Sequence, residues 1–130
     1  MSRARASVGV ALALAVAAAA GPAAADDPLG VKGTSVGVSE REFRISPYRR
    51  TVPTGTVKFN VRNYGEDVHD LVVLSPGGRT LGTTGEIGAG EGSVLRLKLR
   101  KAGVYRLVCT QADHAARGMK SRITVRATRR

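Results

Sequence analysis

Four side chains in this 130-residue chain have types and spacings suited to one chemistry. His69 stands in Asn63-Tyr-Gly-Glu-Asp-Val-His-Asp, and Cys109, His114 and Met119 stand in Cys-Thr-Gln-Ala-Asp-His-Ala-Ala-Arg-Gly-Met. Apart from Met1, no other histidine, cysteine or methionine occurs anywhere in the sequence. One thiolate, two imidazoles and a thioether form the donor set of a mononuclear copper site, with three donors in a plane and the thioether a long, weak axial contact. Each residue alone has an ordinary explanation, whether a hydrogen-bonded histidine, a core methionine or an inert buried cysteine. Their joint confinement to two short segments is what singles them out. Cys109 is also a lone cysteine, so it has no internal disulfide partner. Bonding to a metal would protect it from oxidation outside the cytoplasm.

Such a site needs rigid elements to carry it, and an address. Arg3 and Arg5 precede an apolar run from Val8 to Ala20, followed by Gly21-Pro22 and Ala23-Ala24-Ala25. This is the pattern of a secretory signal peptide over residues 1–25, cleaved after Ala25. The run is too short and too alanine-rich for a transmembrane helix, which needs about 20 apolar residues. The expected product is an exported chain, periplasmic or extracellular, with a lead-in over 26–35, one domain over 36–127 and a basic tail at 128–130.

Removing Arg3 and Arg5 from the 21 basic residues leaves 19 against 10 acidic ones, a formal charge of +9. No nucleic-acid-binding motif accompanies this charge, and five aromatic residues are too few for a base-stacking platform. The charge points instead to an acidic partner protein or an anionic envelope surface. A well-solvated monomer surface accounts for it equally well.

Beyond the leader, apolar residues recur with period two. Val36 and Val38, then Phe43 and Ile45, predict one or two strands ending at Pro47, and Thr51–Gly55 looks like a turn. Val57, Phe59 and Val61 predict a half-buried strand, and Leu71–Leu74 a strand covered on both sides. The glycine-rich stretch from Ser75 to Gly92 lacks the Gly-Lys-Ser/Thr ending of a phosphate loop, and reads as turns around a short strand at Leu81–Thr84. Leu95, Leu97 and Leu99 alternate with Arg96, Lys98 and Arg100. Tyr105, Leu107 and Cys109 share a face, and Ile123 and Val125 mark the last strand. About seven short strands predict an all-β chain folded as a single antiparallel Greek-key β-sandwich. Only Ala112–Gly118 is compatible with a helical turn.

Tyr105-Arg-Leu-Val-Cys109-Thr-Gln-Ala-Asp-His114-Ala-Ala-Arg-Gly-Met119 resembles the copper loop of the cupredoxins, the plastocyanin/azurin family. Asn63-Tyr-Gly, leading to His69, resembles the family's approach to its first histidine, and the Lys-Ala-Gly103-Val-Tyr105 turn also matches. The similarity spans about residues 36–127. It implies one type-one copper held by His69, Cys109, His114 and Met119, and one-electron transfer between protein partners. By the same resemblance, His114 with Ala112, Ala115 and Ala116 would form the electron's exit, rimmed by Asp113 and Arg117. The chain departs from the family where Ala112-Asp113 replaces a frequent Pro-Gly, and where Asp70 replaces a frequent asparagine.

The alternative function is a copper carrier or buffer, which commonly displays spare methionines or histidines; this chain has none. An oxidase-type or nitrite-reductase-type enzyme needs further copper sites that two histidines cannot furnish. Zinc is disfavoured by the thioether. The chain is therefore expected not to be an enzyme.

Overall fold

The computed structural model describes residues 33–128. The expected leader, most of the lead-in, and Arg129-Arg130 lie outside the described residues. Nine strands form: β1 (Thr34–Arg41), β2 (Arg44–Pro47), β3 (Thr51–Pro53), β4 (Gly55–Asn63), β5 (Val72–Leu74), β6 (Thr80–Thr83), β7 (Gly92–Leu99), β8 (Gly103–Val108) and β9 (Lys120–Arg126). They make two sheets, ordered β2-β1-β4-β7 and β3-β9-β8-β5-β6. The all-β sandwich is as expected, and no helix occurs among the described residues.

The inward faces follow the alternation. Val36, Val38, Val57, Phe59, Val61, Tyr105, Leu107, Ile123 and Val125 are all buried in one core. Leu71, Val72 and Val73 are buried in succession, as their unbroken apolar run requires. Leu95 and Leu97 are half-buried on the edge strand β7. Their neighbour in the opposite sheet is Gly82, where a Cβ would stand 2.8 Å from Leu97 Cδ2. Glycine in β6 thus lets the two sheets close along this side.

Three details differ from the sequence-based expectation. Thr51–Pro53 is a strand and not a turn, and it pairs parallel to β9. It lies at a sheet edge, where proline's missing N–H breaks no ladder. Secondly, β1 also pairs parallel, with β4, so the sheets are mixed where antiparallel pairing was expected. Alternation reports which face a side chain takes, and it is silent on the direction of the neighbouring strand. The chain passes through β2 and crosses to the other sheet at β3 before β4 returns beside β1. Thirdly, Phe43 sits in the two-residue turn between β1 and β2 with φ 59°, not on the face shared with Ile45.

Candidate metal centre

His69 reaches its place through a loop organised by Asn63. This asparagine is fully buried at the end of β4. Its Nδ2 donates to the carbonyls of Asp67 at 2.7 Å and Ile87 at 2.9 Å, and its Oδ1 accepts the Gly65 N–H at 2.8 Å. The last bond is an Asx turn, which explains why an asparagine opens the segment. The glycine two residues on has a separate cause, since a Cβ at Gly65 would fall on Glu42 Oε1. His69 is then clamped by a two-way backbone bridge: its N–H donates to Ile87 at 3.1 Å, and the Ile87 N–H donates back at 2.7 Å.

Cys109 follows β8 directly, and Met119 directly precedes β9. The Cys109 N–H donates to the Met119 carbonyl at 3.1 Å, extending the β8–β9 ladder by one rung beyond the strands. Between them the chain coils through successive turns, with Arg117 N–H donating to Asp113 at 3.1 Å and Gly118 N–H to Ala115 at 3.0 Å. The Met119 N–H donates to the His114 carbonyl at 3.0 Å, so all three residues are held in one register by backbone bonds. Ala112 carries φ 41°, a left-handed conformation that costs a residue with a Cβ energy.

These two segments bring His69 Nδ1, His114 Nδ1 and Cys109 Sγ face to face. The two nitrogens are 3.2 Å apart, and the sulfur lies 3.6 Å from His114 Nδ1 and 4.0 Å from His69 Nδ1. Bonds of about 2.0 Å to imidazole nitrogen and about 2.3 Å to sulfur, in a trigonal plane, separate donors by about 3.5–3.7 Å. The observed triangle fits that requirement. His69, Cys109 and Met119 are fully buried and His114 is 7% exposed. Burial pushes the Cys109 thiol above its ordinary range. The metal-free form therefore holds a neutral thiol, and binding a metal expels a proton.

The outer nitrogens of both rings face carboxylates. His69 Nε2 donates to Glu42 Oε1 at 3.3 Å, and His114 Nε2 lies 3.7 Å from Asp67 Oδ2. Neither carboxylate faces the Nδ1 side, so the donors that converge are N, N and S, and with the Met119 thioether they make a set consistent with one type-one copper. A carboxylate on the far side of a ligating imidazole fixes its tautomer and raises its basicity. Glu42 Oε1 also accepts the N–H groups of Glu66 at 2.7 Å and Asp67 at 2.9 Å. Its pKa is lowered to about 2 by the Asp67 N–H first, then by its own backbone, the Glu66 N–H and His69.

Phe43, next to Glu42, packs edge-on against His114 with centroids 5.3 Å apart, and the Arg117 guanidinium lies 4.6 Å above its ring. Arg117 also pairs with Asp113 at 2.9 Å. The two rim residues expected around His114 thus bond to each other, and Phe43 covers part of the ring. Around it Ala112 and Ala116 are exposed and Ala115 is half-buried.

Glu42, Phe43 and Asp67 were not anticipated from the sequence. Glu42 and Phe43 are 26 or more residues from either histidine, and no local pattern links them to the site. Asp70 was anticipated only as a departure. It is buried, and accepts the Thr110 N–H at 2.6 Å, the Thr110 hydroxyl, and Gln111 Nε2 at 3.5 Å. The tie between the two ligand segments is therefore made entirely by acceptance.

The fold and this centre define a cupredoxin-type copper protein. A family model for the cupredoxin-like domain matches residues 6–125, and the chain belongs to that family. No curated protein sequence matches it. Among solved structures, the sodium-dithionite-reduced auracyanin of the photosynthetic bacterium Roseiflexus castenholzii superposes with a TM-score of 0.64 at 20% identity, covering 72% of this chain and 98% of its own. Auracyanin B superposes at 0.61 with 18% identity, covering 72% of this chain and 88% of its own. Auracyanin A of Chloroflexus aurantiacus, described as a "blue" copper protein, superposes at 0.59 with 12% identity, covering 72% and 99%. At these identities the likeness establishes the shared fold.

Proposed function

We propose that His69, Cys109, His114 and Met119 would hold one copper ion, and that the chain carries single electrons between protein partners. One observation carries this: two imidazole nitrogens and a sulfur converge at 3.2, 3.6 and 4.0 Å in a buried pocket. A bound type-one copper supplies a redox centre that changes oxidation state with little rearrangement. The chain's own contribution is rigidity. The His69–Ile87 bridge, the Cys109–Met119 rung and the Met119–His114 bond hold the donors, and the buried position excludes water. The auracyanin likeness and the family membership support an electron carrier.

The signal-like residues 1–25 support export, with the copper domain over about 36–127 acting outside the cytoplasm as a monomer. The acidic-partner reading of its charge follows from the same composition. Complete burial of three of the four donors supports retention of the ion over its delivery to an acceptor. Loading the chain with Cu(II) should give an intense visible thiolate-to-copper band that Cys109→Ser abolishes. Persistence of that band in the variant would overturn the assignment. Repeated reduction and reoxidation without loss of copper separates an electron carrier from a copper carrier.

A further inference from the structure

A cleft of about 700 Å³ lies between β2 of one sheet and the outer face of β8 and β9 in the other. Arg44, Arg50, Arg106, Lys120 and Arg122 line it, and no carboxylate does. None of the five forms an ion pair among the described residues. Arg106 and Arg122 are direct cross-strand partners, and Lys120 is the partner of Val108 one step along. Their inward-facing neighbours Tyr105, Leu107 and Ile123 fill the core, so these cations project outward by the alternation of the strands. Like charges directly opposite one another destabilise a strand pair. Here that repulsion is concentrated in a concavity, where an anion would relieve it.

We propose that this cleft is a docking site for a carboxylate-rich segment of an acidic partner protein. Four of its five cations are arginines, whose planar forks pair bidentately with carboxylates. The choice of a protein occupant rests on the electron-carrier function proposed above, and on position. Val108 and Lys120 line the cleft and are the chain neighbours of Cys109 and Met119, which are themselves joined by a backbone hydrogen bond. A partner seated there lies one residue from two of the four donors.

Hexaglutamate is a suitable probe, titrated into the full chain with and without Cu(I) while backbone amide shifts are followed by NMR. Saturable shifts should centre on Arg106, Lys120 and Arg122. Arg106→Glu/Arg122→Glu should weaken binding by about tenfold or more, the loss expected for two solvent-exposed ion pairs. Lys58→Glu/Arg96→Glu alters another cross-strand cation pair, on the other sheet, by the same total charge. It should weaken binding far less. Equal weakening by both double variants would reduce the effect to net charge and overturn the site. Binding of tripolyphosphate in the cleft without binding of hexaglutamate would overturn the carboxylate assignment. Thermal melts check that each variant folds. Because the shifts are read without copper as well, a chain that failed to form a blue centre would leave this test intact.

Discussion

Asp70 holds Thr110 by two bonds, accepting its backbone N–H at 2.6 Å and its hydroxyl. These residues follow His69 and Cys109, so one carboxylate fixes the spacing between the two ligand segments. It also places a negative charge beside the copper site, which favours the oxidised metal.

Asp70→Asn keeps an acceptor for the Thr110 N–H and removes the charge. The reduction potential should rise by on the order of 50 mV, the equivalent of about 1 kcal/mol for one electron. Voltammetry of the copper-loaded variant checks this, and an unchanged or lower potential would contradict it.

Glu42 orients His69 from the outside, and Gly65 leaves room for it to do so. Glu42→Ala should lower copper affinity about 10- to 100-fold, the usual cost of losing a carboxylate behind a ligating histidine. Gly65→Ala should reproduce much of that loss, because the new methyl would displace the Glu42 carboxylate and not the backbone. Competition titrations with a copper chelator measure both, and full affinity in Gly65→Ala would refute the spatial argument.

Ala112 occupies the left-handed region at φ 41° with a Cβ to accommodate. Ala112→Gly should therefore stabilise the folded chain by about 1 kcal/mol, net of glycine's greater freedom when unfolded. Urea unfolding gives the value directly; destabilisation by a similar amount would show that the loop tolerates the conformation without cost.

Glu40 is fully buried on the inner face of β1, and neither carboxylate oxygen has a hydrogen-bond partner among the described residues. Burial first, and the charge of Asp70 second, raise its pKa from 4.5 to about 8. The folded chain then keeps a proton that the unfolded chain releases between those values. Stability from this group is complete below about pH 4.5 and is lost as pH rises towards 8, by up to about 1.4 kcal/mol per pH unit. The lowered pKa of Glu42 acts in a separate window, its contribution being lost as pH falls below 4.5 towards 2. Glu40→Gln should flatten the decline between pH 5 and 8.5 in urea midpoints, and an unaltered slope would assign that decline to other groups.

Cys109, His114 and Met119 were legible as a unit because they share one loop, where chain distance bounds spatial distance. The faces of β4, β8 and β9 were legible because a two-residue period leaves its mark in every pair of neighbours. β3 was hidden by its proline and its brevity, and Phe43 was assigned to a strand because alternation cannot register a positive φ.

The sequence alone determined the all-β class, the inventory of metal donors and the loop that spaces three of them, since these depend on residue type and short separations. Tertiary structure decided what no local pattern encodes. It paired β1 with β4 and β3 with β9 in parallel, and set His69 Nδ1 4.0 Å from Cys109 Sγ, 40 residues away. It also turned Glu42 and Phe43 onto the two histidines, and gathered five scattered cations around one cleft. Each of these joins segments that lie far apart in the chain. Packing the core fixes such contacts all at once, because no single segment can bury its own apolar face.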